Sequence, residues 1–201
     1  QCFEQNFSCL ELNIIMRTFG LKYPPIKPKQ LPEHLIYHQA TGRHEVTGEI
    51  IDRFVMFSTK KGEEKVTAVM ECMKTTVDRD GVKNVPSIYV KNLLSPYSGL
   101  GLGTDFLDFV QTYSKKKGCN GYFHLYSSAG YSPKRIPHIF YRKYGMNTEN
   151  ANVNKRLDKF IAKGKNADYY DFSDVNMFYP PIKNPKTGWQ IFLDFLGLGG
   201  K

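Results

Sequence analysis

The sequence has little cysteine and no paired arrangement of it. Cys2, Cys9, Cys72 and Cys119 are its four cysteines, and no C-x-x-C occurs. The motifs of a zinc ribbon and of a redox dithiol are therefore missing. Free thiols in a reducing cytoplasm are the expectation, and no metal site is expected. No charged segment precedes an apolar one at the start, so no signal peptide is expected. No apolar run approaches the ~20 residues that cross a bilayer. The stretch from Ile191 to Leu198 is apolar, but Asp194 and Gly197 break it, and it is expected to be a buried terminal segment. Nucleotide fingerprints are incomplete as well. Walker A needs Gly-Lys-Ser/Thr, and here Thr104 follows Gly103 with no lysine between. A dinucleotide fingerprint needs G-x-G-x-x-G and an acid about 20 residues on. This chain reads G-x-G-x-G, and after Asp108 the next acid is Glu149. Acidic residues are scarce too. Net charge is +9 and the pI about 9.3, which points to anionic partners such as a polyphosphate, RNA or an acidic surface.

What is present is organised around Pro96-Tyr97-Ser98-Gly99-Leu100-Gly101-Leu102-Gly103-Thr104. An apolar run, Ile88 to Leu94, leads into it. A helical pattern follows, with Phe106, Phe109, Val110 and Tyr113 at i, i+3, i+4 and i+7. Lys115, Lys116 and Lys117 suit the negative end of that helix's dipole, and Gly118 reads as its stop. This is strand, glycine turn, helix. Glycine lets backbone approach a ligand closely. The first amides of the helix have no intrahelical partner and sit at the positive end of the dipole, which suits phosphate.

The stretch resembles the acyl-CoA loop of the GNAT acyltransferase superfamily, (Gln/Arg)-x-x-Gly-x-(Gly/Ala). Ser98 stands at the Gln/Arg position, and Gly101 and Gly103 match the glycines. Downstream, Phe140-Tyr141-Arg142-Lys143-Tyr144-Gly145-Met146 is similar to that family's Phe-Tyr-x-Lys-x-Gly-Phe. The motifs stand in the family's order, and the resemblance covers about residues 45 to 147. It implies a mixed sheet in an α/β (α+β) domain, an antiparallel meander followed by a strand-helix-strand-helix unit. Acetyl-CoA or another acyl-CoA would be co-substrate. Leu94, Ser98, Gly99, Leu100, Gly101, Leu102, Gly103 and Thr104 would hold it. Tyr141 matches the family's general-acid tyrosine. The implied activity is acyl transfer to an amine on a small molecule or peptide, in the cytoplasm. RNA as partner and an oligomeric state are left open, and no membrane partner is expected. The rival reading is a non-catalytic binding module of the same fold for a protein or RNA.

Along the chain, residues 1–44 are expected to hold an N-terminal helix (3 to 19) and a proline-rich connector (Tyr23 to Pro32). Residues 45–147 form the core, and 148–201 an extension packed on it. Gly42 to Gly48 reads as a turn. Ile50 to Ser58, Val66 to Val77 and Ile88 to Leu94 read as strands joined by polar turns at Lys60 to Glu64 and Asp78 to Gly81. Helix 104 to 117, strand Gly121 to Ser127, a helix from about Arg135 and a helix Val153 to Lys163 follow. Tyr-Pro-Pro-Ile-Lys occurs twice, at 23–27 and 179–183, expected as two extended arms flanking the core in preference to a proline-rich docking motif.

Acyl transfer needs a base for the incoming ammonium. Family members often carry a Glu on the strand before the glycine loop, and Ile88 to Leu94 has none. Glu71, on the neighbouring strand, shares a face with Val69 and Met73. Apolar neighbours tend to raise a carboxylate's pKa, which suits a base. An edge or solvent-facing Glu, or a water acting as base, are the alternatives. His124 and His138 read as packed or exposed residues. The basic clusters Lys115 to Lys117, Lys134-Arg135, Arg142-Lys143 and Lys155-Arg156 read mainly as solvated.

Overall fold

The structure is a computed structural model and describes residues 21–22, 35–44, 48–60, 63–95, 101–128, 136–164 and 172–198. It is a mixed α/β fold. The chain forms two compact units, residues 1–74 with 89–112, and residues 75–88 with 113–201. The expected N-terminal helix and proline-rich connector, and the first Tyr-Pro-Pro-Ile-Lys copy, lie outside the described residues. No helix among those described is long and apolar enough to cross a membrane.

The first unit contains β1 (Leu21–Lys22), β2 (Leu35–His44), β3 (Ile50–Lys60), most of β4 (Glu63–Arg79), the end of β5 (Val82–Leu94) and the first three turns of α1 (Leu102–Lys116). Its strands lie in chain order. β2 and β3 are antiparallel with Ile36 opposite Met56. β3 and β4 are antiparallel with Val55 opposite Val69. Ile51, Phe54, Val55 and Met56 on β3, and Ala68, Val69 and Met70 on β4, are all buried. Successive residues point to opposite faces, so both faces of these strands are covered, and the sequence is apolar without a break from Phe54 to Phe57 and from Ala68 to Met70. Phe109 of α1 packs edge-on to Phe54 with ring centroids 4.7 Å apart. The expected turn from Gly42 is corrected: Gly42 lies inside β2, paired with Ile51.

The second unit holds the end of β4 and the start of β5, the last turn of α1, and β6 (Phe123–Ser127), α2 (Pro137–Tyr144), α3 (Ala151–Ala162), β7 (Val175–Tyr179) and α4 (Gly188–Phe195). Asp80 and Gly81, with φ of 53° and 80°, turn β4 into β5. Two consecutive left-handed residues are what a two-residue hairpin turn of matching twist requires, and Asp-Gly supplies them. Gly118, also left-handed, ends α1, and the Cys119 amide donates back to Ser114 O at 2.8 Å. Pro137 occupies the first position of α2, where its missing N–H costs nothing, so the helix begins two residues after Arg135. β6 and β7 are antiparallel with Leu125 opposite Met177. Phe123 stacks on Tyr179 at 4.9 Å, and Ile139, Met146, Leu157 and Phe178 complete this core. The order β5, α1, β6, α2 is the strand-helix-strand-helix unit expected.

The second Tyr-Pro-Pro-Ile-Lys copy is pinned rather than free. Arg79 donates to Pro180 O at 2.7 Å, and Ile182 exchanges two hydrogen bonds with the Asn147 side chain. The expected burial of Ile191 to Leu198 is overturned, because α4 has no buried residue.

Candidate functional site

In the first unit β5 ends at Leu94, and Ser95 Oγ donates to Thr67 O at 3.0 Å. Ser98, Gly99 and Leu100 lie outside the described residues. Gly101 has φ of +78°, and a Cβ built there would meet nothing within 4 Å. Left-handed backbone in open space requires glycine for its conformation and leaves the turn approachable. The amides of Thr104 and Asp105 both donate to Gly101 O, at 2.8 and 3.1 Å. These bonds close the first turn of α1 and leave the Leu102 and Gly103 amides ahead of the helical ladder. Leu102 is buried and anchors the turn; Thr104 is exposed. Gly103 is already helical and has no positive φ. Asp105 is the acid of this first turn and complements the dipole.

Glu71 is neither at an edge nor facing solvent. It is 0% exposed, as is Arg53 directly opposite it in the β3–β4 register. Residues directly opposite on antiparallel strands hold their Cβ atoms ~5 Å apart. Asn92 Nδ2 donates to Glu71 Oε2 at 2.7 Å, from a position two residues before Leu94 on β5. A buried charge is tolerable only when paired and hydrogen-bonded. Sequence reasoning placed Glu71 among apolar neighbours and missed Arg53 and Asn92, since only the strand registers bring the three together.

In the second unit, Tyr141 and His138 share the inward face of α2 and are both buried. Burial pushes the Tyr141 phenol up to about 12. His138 Nε2 lies 3.1 Å from Ser173 O and Nδ1 3.1 Å from Ser127 Oγ. A carbonyl can only accept, so Nε2 carries the hydrogen and Nδ1 of the neutral ring accepts from Ser127. Burial holds this histidine below its ordinary value, against the opposing pull of the Ser173 carbonyl and of Asp174. His124 Nδ1 is 2.9 Å from Ser87 Oγ, and the ring stacks on Phe178 at 16°. Burial first, and the Arg79 charge second, lower it to about 4. Both rings serve the core as neutral groups.

Some basic residues are engaged. Arg142 grips Asp158 through two bonds of 2.7 and 2.9 Å, and Arg156 lies over the Phe172 ring at 4.7 Å. Lys115, Lys116, Lys143 and Lys155 are exposed, while Lys134 and Arg135 lie outside the described residues. A depression of about 490 Å³ opens beside the Asp80–Gly81 turn, lined among others by Asp78, Lys83, Glu149 and Lys186. Neither Tyr141 nor Glu71 nor any described residue of the glycine turn lines it. Among the described residues, no group of three His, Cys, Asp or Glu could hold a metal ion. Cys72 and Cys119 are both buried.

No protein-family model matches this chain. No curated protein matches it either. Among solved structures, a KacTA–DNA complex is similar at 15% identity and TM-score 0.39, over 58% of this chain and 76% of that one. A tyrosine-to-phenylalanine mutant of KacT is similar at 14% identity and TM-score 0.33, over 65% of this chain and 71% of that one. Likeness at that level carries no functional weight.

Proposed function

We propose that this protein transfers an acyl group from acyl-CoA to an amine, with the CoA pyrophosphate held by backbone amides of the Ser98–Thr104 turn. The observation that carries this reading is the left-handed, open Gly101 ahead of a fifteen-residue helix. It supports phosphate binding because unpaired amides and the dipole meet there without a side chain in the way. The GNAT resemblance of the same stretch narrows the phosphate ligand to acyl-CoA. Leu94, at the end of β5, leads into the same turn.

In the reaction the amine nitrogen bonds to the thioester carbonyl carbon, the C–S bond breaks, and CoA leaves as thiolate. The ammonium must first lose a proton, and Glu71 is the carboxylate offered for it. The resemblance gives Tyr141 the role of donor to the thiolate. A phenol titrating near 12 stays protonated throughout the neutral range, so it is always available as a donor. It is also a far weaker acid than a thiol, so its contribution is a hydrogen bond to the thiolate more than a completed transfer.

Tyr141→Phe removes only the hydroxyl. Turnover should fall roughly 10²-fold or more, while acetyl-CoA affinity stays the same, measured by thiol release on an amine panel and by calorimetry. Equal turnover in the variant returns Tyr141 to a core role. A second reading, a CoA-binding module without transfer, is favoured by one observation: Glu71 is fully buried opposite Arg53. If no amine releases thiol although CoA binds, that reading replaces the first, with RNA or a protein as the partner to seek.

A further inference from the structure

α4 lies at the surface with no buried residue on either its polar or its apolar side. At roughly 100° per residue, Gln190 and Asp194 share one edge of the helix. That polar edge is tied to the residues just ahead of the helix and is itself exposed. Gln190 closes a capping box with Thr187, and Asp194 accepts from Lys186 Nζ at 2.6 Å. The apolar arc is exposed as well. Trp189 is 65% exposed, Phe192 47%, Phe195 85% and Leu196 48%, with Leu198 just beyond at 67%. Helices of soluble domains bury such an arc, and a contiguous exposed one marks a binding surface. The approach to the helix is fixed. The Lys186 amide donates to Glu149 O at 2.6 Å, and the Ala151 amide to Lys186 O at 2.8 Å, so α4 starts beside the start of α3.

Charge selects the occupant. The second unit carries 17 Lys and Arg against 8 Asp and Glu, which is the whole +9 of the chain. Lys183 and Lys186 immediately precede α4, and Lys155, Arg156 and Lys159 are exposed on α3. The one acid on the helix, Asp194, is already neutralised by Lys186. An apolar aromatic arc within a strongly cationic unit matches the interface of an anionic bilayer, where rings enter the headgroup boundary and lysines meet the headgroups. An eight-residue helix is about 12 Å long, so it lies in that interface and does not span it. We propose that α4 docks the protein on an anionic lipid surface through Trp189, Phe192, Phe195, Leu196 and Leu198.

Trp189 is the chain's single tryptophan, so its fluorescence reports the event directly. Mixed phosphatidylserine–phosphatidylcholine vesicles should shift its emission to the blue and carry the protein down on sedimentation; added salt should weaken both effects. Phe192→Ser with Phe195→Ser should weaken vesicle binding by about tenfold or more. Both side chains are exposed, so the thermal midpoint should hold. Absence of binding to the mixed vesicles overturns the proposal. So does equal binding to pure phosphatidylcholine, or binding that the double variant leaves unchanged. Sedimentation velocity without lipid supplies the remaining outcome. A concentration-dependent dimer abolished by the same double variant would assign the arc to a second copy of the chain and overturn lipid docking.

Discussion

The first unit carries 11 Lys and Arg against 11 Asp and Glu; the second carries 17 against 8. The neutral unit takes charge into its interior, setting Arg53 opposite Glu71 with Asn92 bonded to the carboxylate. The cationic unit keeps His124, His138 and Tyr141 neutral, buries one guanidinium, Arg79, beside Asp80 and the Pro180 carbonyl, and exposes much of its cationic excess. The contrast separates two ways of meeting an anion. In the first unit the proposed device is backbone amides with a helix dipole, short in range and suited to one phosphate group. In the second, net charge acts over the Debye length and suits an extended anionic surface.

The sharpest way to break the comparison is Arg53→Ala. It leaves Glu71 buried without the charge opposite it, which should cost about 3–5 kcal/mol, read by denaturant unfolding. Arg53→Met with Glu71→Leu should recover most of that loss. A cost under about 1 kcal/mol for the single variant would mean that the pair is not an electrostatic unit.

The second unit should answer to pH instead. His124 titrates near 4 when folded and near 6.5 when unfolded. Below 6.5 the unfolded chain binds the proton first, so stability falls as pH drops toward 4 and is complete above 6.5. The loss should be about 2–3 kcal/mol, and His138 adds in the same direction. His124→Asn should flatten the slope across this window. An unchanged slope would place the acid sensitivity elsewhere.

The smallest effect compares the two left-handed glycines at the ends of α1. Gly101→Ala and Gly118→Ala should each cost about 1–2 kcal/mol, since both have φ near +75° and neither Cβ meets a neighbour. Thermal unfolding should show the two losses alike, and a larger loss at either would point to a contact there. Calorimetry should separate them, with acyl-CoA affinity reduced at Gly101 alone.

Much of this fold was legible. The apolar runs of β3 and β4, the Asp80–Gly81 turn, the helix from Phe106 to Tyr113 and its Gly118 stop all follow from local chemistry. β2 was not legible, because a register shift between His38 and Ala40 breaks the period of two and Gly42 mimics a turn. β7 was hidden in an aromatic and acidic stretch where adjacent Met177 and Phe178 are both buried. α4 carried a readable signal, Thr187 three residues before Gln190, but its exposure did not follow from its apolar sequence. Of the candidate site, the glycine turn was visible as a motif. The Arg53–Glu71–Asn92 cluster was not, because it depends on pairing among three strands.

The central claim, that the first unit binds acyl-CoA through its glycine turn, is tested most directly by thermal unfolding with acetyl-CoA, using ATP and NAD as controls. A ligand that binds only the folded state adds about 2.7 kcal/mol at 100 times its Kd. The account predicts a rise in Tm with acetyl-CoA that clearly exceeds the rise with either control and is diminished in Gly101→Val. No shift with acetyl-CoA, or an equal shift with all three ligands, would contradict it.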